Sequence, residues 1–192
     1  FDTYAFENCN GDLVSTIVYG TQRWTVENAC FTTYRDGSPI AQGLVGFYPF
    51  GGYSINPSDP TSVLYNQFAV LGFDFLGGGV VRQFAPEGWH VPSDEEWFIL
   101  ENYLISSGYN YDGTTEANKI AKAMASTNGS NSSDNGGVPG NNQSLNNISG
   151  FNAFPEGLRS DNVSNSYETG NITAYWSYTV DSVGSAWFIN YN

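Results

Sequence analysis

Basic residues are scarce in this chain, which has 6 Lys and Arg against 19 Asp and Glu and a formal net charge of −13. The six cations are scattered along the sequence rather than clustered. Nucleic acids and anionic membrane surfaces are bound through clustered Lys and Arg, because these side chains neutralise phosphate groups. The composition therefore argues against a nucleic-acid partner and against attachment to an anionic membrane.

Long apolar runs and histidines are also lacking. No run of about 18 apolar residues occurs, so the sequence predicts no membrane insertion. His90 is the only histidine, which leaves a histidine-based triad or a multi-histidine metal site without partners. We therefore expect a structural, hydrogen-bonded role for His90. Carboxylates are numerous, but no spacing singles out an acid and a base.

Cysteine is limited to Cys9 and Cys30. Two cysteines near the start of a chain with the composition of a secreted protein favour a disulfide over a metal pair. The alternative is two free thiols. The disulfide interpretation implies an oxidising, extracellular or cell-surface location.

Aromatic residues and glycine, by contrast, are plentiful. Of the 192 residues, 16% are aromatic and 22 are Gly, while 13% are charged. This composition is typical of a globular domain with few helices, short strands and many turns, and the length suits one core. We predict a single domain over residues 1–192, with residues 1–12 as an N-terminal lead-in.

The clearest helix start in the sequence is at Ser93. Ser93 and Glu96 have the spacing of a capping box, in which each side chain accepts a backbone N–H that the first turn leaves unpaired. Apolar residues then recur at helical spacing to about Ile105. We predict a helix that packs one apolar face on the core of the domain, and we expect Trp97 and Trp89 to anchor that core.

A second helix is predicted from about Thr115 to Ala125, where apolar residues keep i, i+3, i+4 and i+7 spacing. Residues 126–150 are rich in Asn, Ser and Gly and are interpreted as a long loop that binds something or is tolerated on the surface. Loop oxygens around Asp134, Asn135 and Asn141 are candidates for a structural calcium site, because Ca²⁺ accepts carboxylates, amides and carbonyls. We expect no other cofactor.

Strands and turns are predicted from β-branched and aromatic runs bounded by Gly, Pro, Asn and Asp. The first half contains a hairpin (Leu13–Val18 with Trp24–Val26), a turn (Tyr34–Pro39), a following segment (Leu44–Phe50) and a run that fits a strand or a short helix (Leu64–Val70). The last third contains Phe151–Phe154 and an antiparallel pair, Tyr175–Thr179 with Ala186–Tyr191, joined around Asp181–Gly184.

Separated blocks of the sequence carry a family resemblance. The most specific block is Gly88–Trp97, GWHVPSDEEW. The other blocks are Thr16–Asn28, Thr33–Ile40, Leu64–Val70, Ala85–Leu104, Ser149–Arg159 and Tyr175–Ser177. In composition and order they resemble the Fibrobacter succinogenes major paralogous domain family, from roughly residue 12 to the end. The resemblance implies an α+β domain with a C-type-lectin-like fold, in which two helices pack on small twisted antiparallel sheets with long loops.

Two features depart from the family pattern. Phe154–Leu158 stands where a Gly-Gly-Tyr pattern is common. The closing strand of the family, which ends in a pattern like Gly-Phe-Ser-Val-Arg-Cys, is not found before Asn192. Either the sequence ends before that strand, or a strand from elsewhere completes the sheet, since an unpaired edge readily accepts another chain.

The resemblance extends to formylglycine-generating enzymes, which hold copper with a cysteine pair. Cys9 and Cys30 lie outside the region where that pair would sit, so we expect neither copper-oxidase activity nor catalytic residues. The sugar-binding motifs of calcium-dependent lectins, Glu-Pro-Asn or Gln-Pro-Asp followed by Trp-Asn-Asp, are absent.

A non-catalytic recognition or adhesion domain on a secreted or surface protein of a bacterium or phage is the function that we expect, with a glycan or a protein as ligand. In some relatives on this fold the C-terminal region is the ligand-binding face, and here it is rich in Tyr, Asn and Ser, which suit recognition surfaces. The candidate ligand-binding residues are Tyr167, Asn171, Tyr175, Tyr178, Asp181, Trp187, Asn190 and Tyr191. The alternative is that Trp176, Trp187 and Phe188 are core and the polar residues are merely solvated.

A structural subunit of an extracellular appendage or virion is a second hypothesis. In that case the sheet would be completed by a strand from a copy of the chain or from another neighbour.

Overall fold

The computed structural model describes residues 4–43, 52–56, 59–74, 79–159, 166–179 and 186–190. Within these ranges it is an α+β structure of short elements, as predicted. The helices are α1 (Gln67–Leu71), α2 (Asp94–Ser106), α3 (Ala121–Met124) and the 3₁₀ helix Gln143–Leu145. The strands are β1 (Thr16–Tyr19), β2 (Gln22–Thr25), β3 (Ala41–Gln42), β4 (Gly52–Asn56), β5 (Asp59–Tyr65), β6 (Phe73–Asp74), β7 (Val80–Val81), β8 (Leu158–Arg159), β9 (Ser166–Tyr167), β10 (Ile172–Trp176) and β11 (Ala186–Asn190).

The strands form small separate sheets. Antiparallel pairs are β1–β2, β6–β7, β8–β9 and β10–β11, and a three-stranded sheet has the order β3–β4–β5. The β3–β4 pairing is parallel, which the expectation of antiparallel sheets did not include. Among the described residues, none of the helices is both long enough and apolar enough to span a bilayer.

The first hairpin, β1–β2, is confirmed with shifted ends. Tyr19 pairs with Gln22, so Gly20 and Thr21 form the turn. Gly20 has φ +60°, and a Cβ there would meet the Tyr103 ring of α2 at 3.2 Å. The left-handed backbone and the close ring both favour glycine at this position.

Helix α2 carries the larger hydrophobic cluster and confirms the predicted capping box, with the Ser93 and Glu96 side chains each bonded to the other's backbone N–H. Trp97, Leu100 and Leu104 are buried on one face. The other buried members of this first cluster are Tyr19, Ile120, Met124, Ala125, Phe151 and Ala153.

A second hydrophobic cluster packs against Val91 of the segment that precedes α2. Its buried members are Tyr34, Ile40, Tyr53, Ala69 and Phe84. The guanidinium of Arg35 fixes that segment, donating to the carbonyls of Ala85 (2.8 Å), Pro86 (2.7 Å) and Trp89 (3.0 Å).

Trp89 does not anchor the α2 core, so that prediction is wrong. Its ring meets Phe6 edge-on at 5.5 Å, and its Nε1 donates to the carbonyl of Tyr4 at 2.7 Å. Trp89 therefore holds the N-terminal lead-in against the protein, while Trp97 alone of the two belongs to the first cluster.

The second predicted helix is much shorter than expected, because α3 covers only Ala121–Met124. The buried side chain of Asn110 occupies the preceding backbone: its Nδ2 donates to the carbonyls of Thr114, Glu116 and Ala117, and its Oδ1 accepts from Lys119 N. Ala117 has φ +57°, which no α-helix accommodates. The apolar spacing was present, but this side chain fixes a loop instead.

The segment Leu64–Val70, for which the sequence allowed a strand or a short helix, contains the end of a strand and the start of a helix. β5 ends at Tyr65 and α1 begins at Gln67. The change occurs at Asn66, whose Oδ1 accepts from Ala69 N at 2.9 Å as an N-cap and from Gly52 N at 3.0 Å.

The C-terminal antiparallel pair is confirmed as β10–β11, but its first strand is Ile172–Trp176 rather than Tyr175–Thr179. Ala174 lies opposite Phe188. The turn expected around Asp181–Gly184 lies outside the described residues, as does the segment Leu44–Phe50. Phe151–Phe154 does not form the predicted strand and makes only an isolated parallel bridge between Ala125 and Ala153.

The disulfide between Cys9 and Cys30 is confirmed, with the two Cα atoms 5.5 Å apart. It ties the lead-in to the segment that follows β2. Replacing both cysteines with Ser should lower the free energy of unfolding by about 2–3 kcal/mol, because the unfolded chain gains the entropy of an opened loop. Urea unfolding of the oxidised wild type and the double variant measures this, and equal midpoints would contradict it.

Candidate functional site

A cleft of about 1310 Å³ opens between the two hydrophobic clusters. Its walls come from the lead-in, β2, β5, α1, the segment before α2, and β10. The volume exceeds the roughly 300–1,000 Å³ of ordinary small-molecule sites. An extended ligand therefore fits it better than a single small metabolite.

Aromatic side chains dominate the cleft wall, and many of them are only half-buried. Trp24 and Trp97 meet at 4.6 Å between ring centroids at one end, while Tyr65 and Phe84 meet edge-on at 4.8 Å at the other. The half-buried aromatic residues that line the cleft are Phe6, Trp24, Phe31, Tyr65, Phe68, Trp89, Phe154, Tyr175 and Trp176. They offer a ligand broad apolar faces.

Polar side chains without partners lie among these rings. The hydroxyl of Ser54 is buried and, within the described ranges, makes no hydrogen bond. The amides of Gln67, which is half-buried, and Asn28, which is exposed, also line the cleft, and the described part of the chain supplies neither with a side-chain hydrogen bond. A buried hydroxyl without a hydrogen-bond partner lowers stability by about 1–3 kcal/mol. A ligand that hydrogen-bonds to Ser54 would remove this cost.

Two cleft carboxylates are held by the protein. Glu27 accepts from Asn8 Nδ2 at 2.9 Å and from Ser15 N at 3.3 Å. Glu96 accepts from Ser93 N at 2.8 Å and lies 2.6 Å from His90 Nε2. His90 is thus hydrogen-bonded, and its side chain is 69% exposed.

The pKa of Glu96 is shifted by its surroundings. Burial acts to raise the pKa, but the hydrogen bonds from Ser93 and His90 outweigh it and hold the pKa below its usual value. The carboxylate therefore stabilises the fold above the unfolded-state pKa of about 4.3, and this stabilisation is lost as the pH falls through the lower folded-state pKa.

Glu96→Gln should consequently flatten the acid limb of the stability curve. Unfolding free energies measured by urea titration at pH 6 and pH 3 should fall more for wild type than for the variant. Parallel losses in the two proteins would show that the capping carboxylate has no net role in acid sensitivity.

The predicted ligand-binding residues are only partly brought together. Tyr175 packs on Trp97 (5.5 Å between centroids) and Phe151 (5.9 Å), and burial raises its pKa. It lines the cleft, whereas Tyr178, 49% exposed, lies just beyond the end of β10.

The remaining predicted residues are distributed along the C-terminal third. Asn171 accepts from Asn131 Nδ2 at 2.7 Å, which joins the start of β10 to the long loop. Tyr167 lies in β9, and Trp187 and Asn190 lie in β11. Asp181 and Tyr191 lie outside the described residues.

Two of the three candidate calcium ligands, Asn135 and Asn141, form hydrogen bonds within the loop. Asn135 Oδ1 accepts from Gly137 N at 3.1 Å, and Asn141 Nδ2 donates to Ser133 O at 3.1 Å. In the ranges described, no group of three or more His, Cys, Asp or Glu side chains is placed to hold a metal ion. Calcium binding stays a prediction.

Sequence reasoning missed most of the cleft. Its walls at Gln22–Phe31, Ser62–Phe68 and Phe84–Pro92 come from parts of the chain that have no shared motif. The available signal was the aromatic content, which does not reveal which rings face one another. Among the predicted ligand-binding residues that the structure describes, Tyr175 lines the cleft, next to Trp176 of the same strand.

These features define an α+β domain with one internal disulfide and an aromatic cleft. The chain belongs to the Fibrobacter succinogenes major domain family, whose model matches residues 17–191. The resemblance found in the sequence is thereby confirmed. No curated protein and no solved structure gives a significant match.

Proposed function

We propose that this protein is a non-catalytic, extracellular recognition domain that binds a glycan or a protein in the aromatic cleft and on the adjoining end of β10. The cleft carries the proposal, because a large, mostly aromatic concavity with a few polar groups is the usual form of a binding site. Tyr175 and Trp176 extend the cleft towards the exposed Tyr178.

The location and fold in this proposal have separate support. A disulfide persists in oxidising compartments, which favours a secreted or surface protein. The short sheets around α2 are compatible with a C-type-lectin-like fold, which we propose on the family resemblance. Adhesion to a cell surface is the role that fits such a domain.

Binding is tested with labelled protein on arrays of glycans and of purified cell-surface proteins. Tyr178→Ala should weaken the strongest interaction about tenfold, as expected for an exposed aromatic contact of about 1.4 kcal/mol. Tyr111→Ala is the matched control, since Tyr111 is 50% exposed, against 49% for Tyr178, and does not line the cleft.

Failure of the wild type to bind either array would contradict the proposal. Equal loss in both tyrosine variants would contradict the assigned surface. Recovery of a bound glycan in chemically altered form would contradict the non-catalytic part.

Assembly into an appendage or virion is a second candidate, which the sheet edge favours. Within the described ranges β11 pairs only with β10, so its other edge is open to a strand from a neighbouring chain. Light scattering after size-exclusion chromatography tests it, and a monomer at all concentrations would argue against assembly.

A further inference from the structure

We infer that the ligand of the cleft is a neutral oligosaccharide, bound through the hydroxyl of Ser54 and the amides of Gln67 and Asn28 between aromatic faces. The inference rests on the proposed recognition function and assigns its ligand class.

Charge disfavours an anionic ligand. The acidic and basic side chains that line the cleft are Glu27, Glu96, Glu156, Arg23 and His90, so carboxylates outnumber the cations that are always charged. The whole chain adds a net charge of −13. Like-charge contacts in a partly enclosed site cost several kcal/mol, which selects against uronic acids, sulfated glycans and acidic peptides.

Hydrogen bonding disfavours a cationic ligand as well. Glu27 is occupied by Asn8 and Ser15, Glu96 is occupied by Ser93 and His90, and Glu156 also has a partner. A basic peptide would have to break these bonds to gain a carboxylate. Displacing a satisfied charged hydrogen bond brings little net gain.

The groups that remain are neutral. A hydroxyl and two amides supply both donors and acceptors, which match the hydroxyl groups of a sugar. Ser54 is 4% exposed and its Oγ lacks a partner among the described residues. A ligand hydroxyl would remove the cost of that unpaired group.

Shape favours an oligomer over a monosaccharide. The half-buried faces of Trp24, Phe68, Trp89 and Trp176 line different walls of a cleft of about 1310 Å³. Flat rings stack on the apolar faces of pyranose units, and separate rings can contact successive units. The arrangement therefore suits a chain of sugars.

The test titrates the protein with the neutral tetrasaccharides of β-1,4-glucan, xylan and mannan, and with tetragalacturonic acid as the acidic counterpart. Tryptophan fluorescence is the readout, since Trp24, Trp89 and Trp176 line the cleft. We expect saturable binding of a neutral tetrasaccharide, unchanged by added salt because no charges are paired.

Gln67→Ala should weaken that binding about fivefold to tenfold, as expected for one lost hydrogen bond of about 1 kcal/mol. Gln83→Ala is the matched control, because Gln83 is exposed and lies outside the cleft. Ser54→Ala should weaken binding too, and it should not destabilise the protein because the hydroxyl has no described partner to lose.

The outcomes separate the two proposals. Binding of the acidic sugar or of a protein alone would overturn the neutral-glycan inference and leave the recognition function standing. Neutral-sugar binding that Gln67→Ala and Ser54→Ala leave unchanged would overturn the assigned residues. Binding of no glycan and no protein would overturn both the inference and the proposed function.

Discussion

Lys122→Met should lower the free energy of unfolding by about 4 kcal/mol, because it leaves several buried oxygens without a donor. Lys122 is 7% exposed, and its Nζ donates to the carbonyls of Val138 (3.4 Å) and Asn142 (3.3 Å) and to that of Asn141. It also donates to Asn146 Oδ1 at 3.0 Å. Burial lowers the pKa of this ammonium.

The ammonium of Lys122 thus supplies the hydrogen-bond donors that hold together the oxygens of the long loop, residues 126–150. Asn146, itself buried, continues the network through its Nδ2, which donates to Ser126 O at 2.8 Å and Pro139 O at 3.0 Å. Methionine matches the length of the aliphatic stem but supplies no donor. The loop should therefore loosen even where the rest of the fold survives.

Urea unfolding gives the global loss, and amide hydrogen exchange over residues 133–147 gives the local one. Lys119→Met is the matched control, since Lys119 pairs with Asp112 at 2.5 Å near the surface, where an ion pair contributes little to stability. If Lys122→Met changed stability no more than this control, the organising role of Lys122 would be wrong.

This loop shows what composition can and cannot predict. Its Asn, Ser and Gly content correctly predicted a segment with little regular structure, and the only element in it is the 3₁₀ helix Gln143–Leu145. Composition did not predict that the loop is tied down by a lysine, because lysine is normally solvated and only packing reveals a buried one. The many oxygens of such a loop led us to predict a bound metal ion, whereas in the structure the ammonium of Lys122 binds them.

Local signals were reliable where one segment decides its own structure. The capping box at Ser93 and Glu96 and the antiparallel C-terminal pair both follow from short-range patterns. The helix predicted over Thr115–Ile120 does not form because the side chain of Asn110, a few residues earlier in the chain, binds the carbonyls and the Lys119 N–H. Hydrogen bonds from an Asn side chain to nearby backbone groups compete with helix formation and here override the helical spacing.

The candidate site was less predictable than the fold. The C-terminal surface was chosen for its composition, yet Tyr175 packs within the first cluster. The cleft depends on how two clusters face each other, and no window of sequence contains that information. The family motif before α2 contributes Trp89, His90 and Glu96 to one wall, so it takes part in the site as scaffold and lining.

Trp97→Ala should be the most damaging single substitution in the described structure, at about 3–5 kcal/mol of unfolding free energy. Trp97 is 3% exposed, and its ring contacts Trp24, Phe151 and Tyr175 with centroids 4.6, 6.2 and 5.5 Å away. Its removal leaves a cavity where both the α2 core and the cleft wall meet, so binding and stability should fall together. Chemical denaturation monitored by circular dichroism measures the loss.

Two neighbouring aromatic residues provide the comparison. Phe98→Ala should change stability by less than about 0.5 kcal/mol, because Phe98 is 61% exposed although it follows Trp97 in the same helix. Trp89→Ala should cost about 1–2 kcal/mol, since it loses the hydrogen bond to Tyr4 and the edge contact with Phe6 but is not part of the first cluster. The expected order is Trp97, Trp89, Phe98. A Trp89 variant as unstable as the Trp97 variant would mean that the lead-in is part of the folding core.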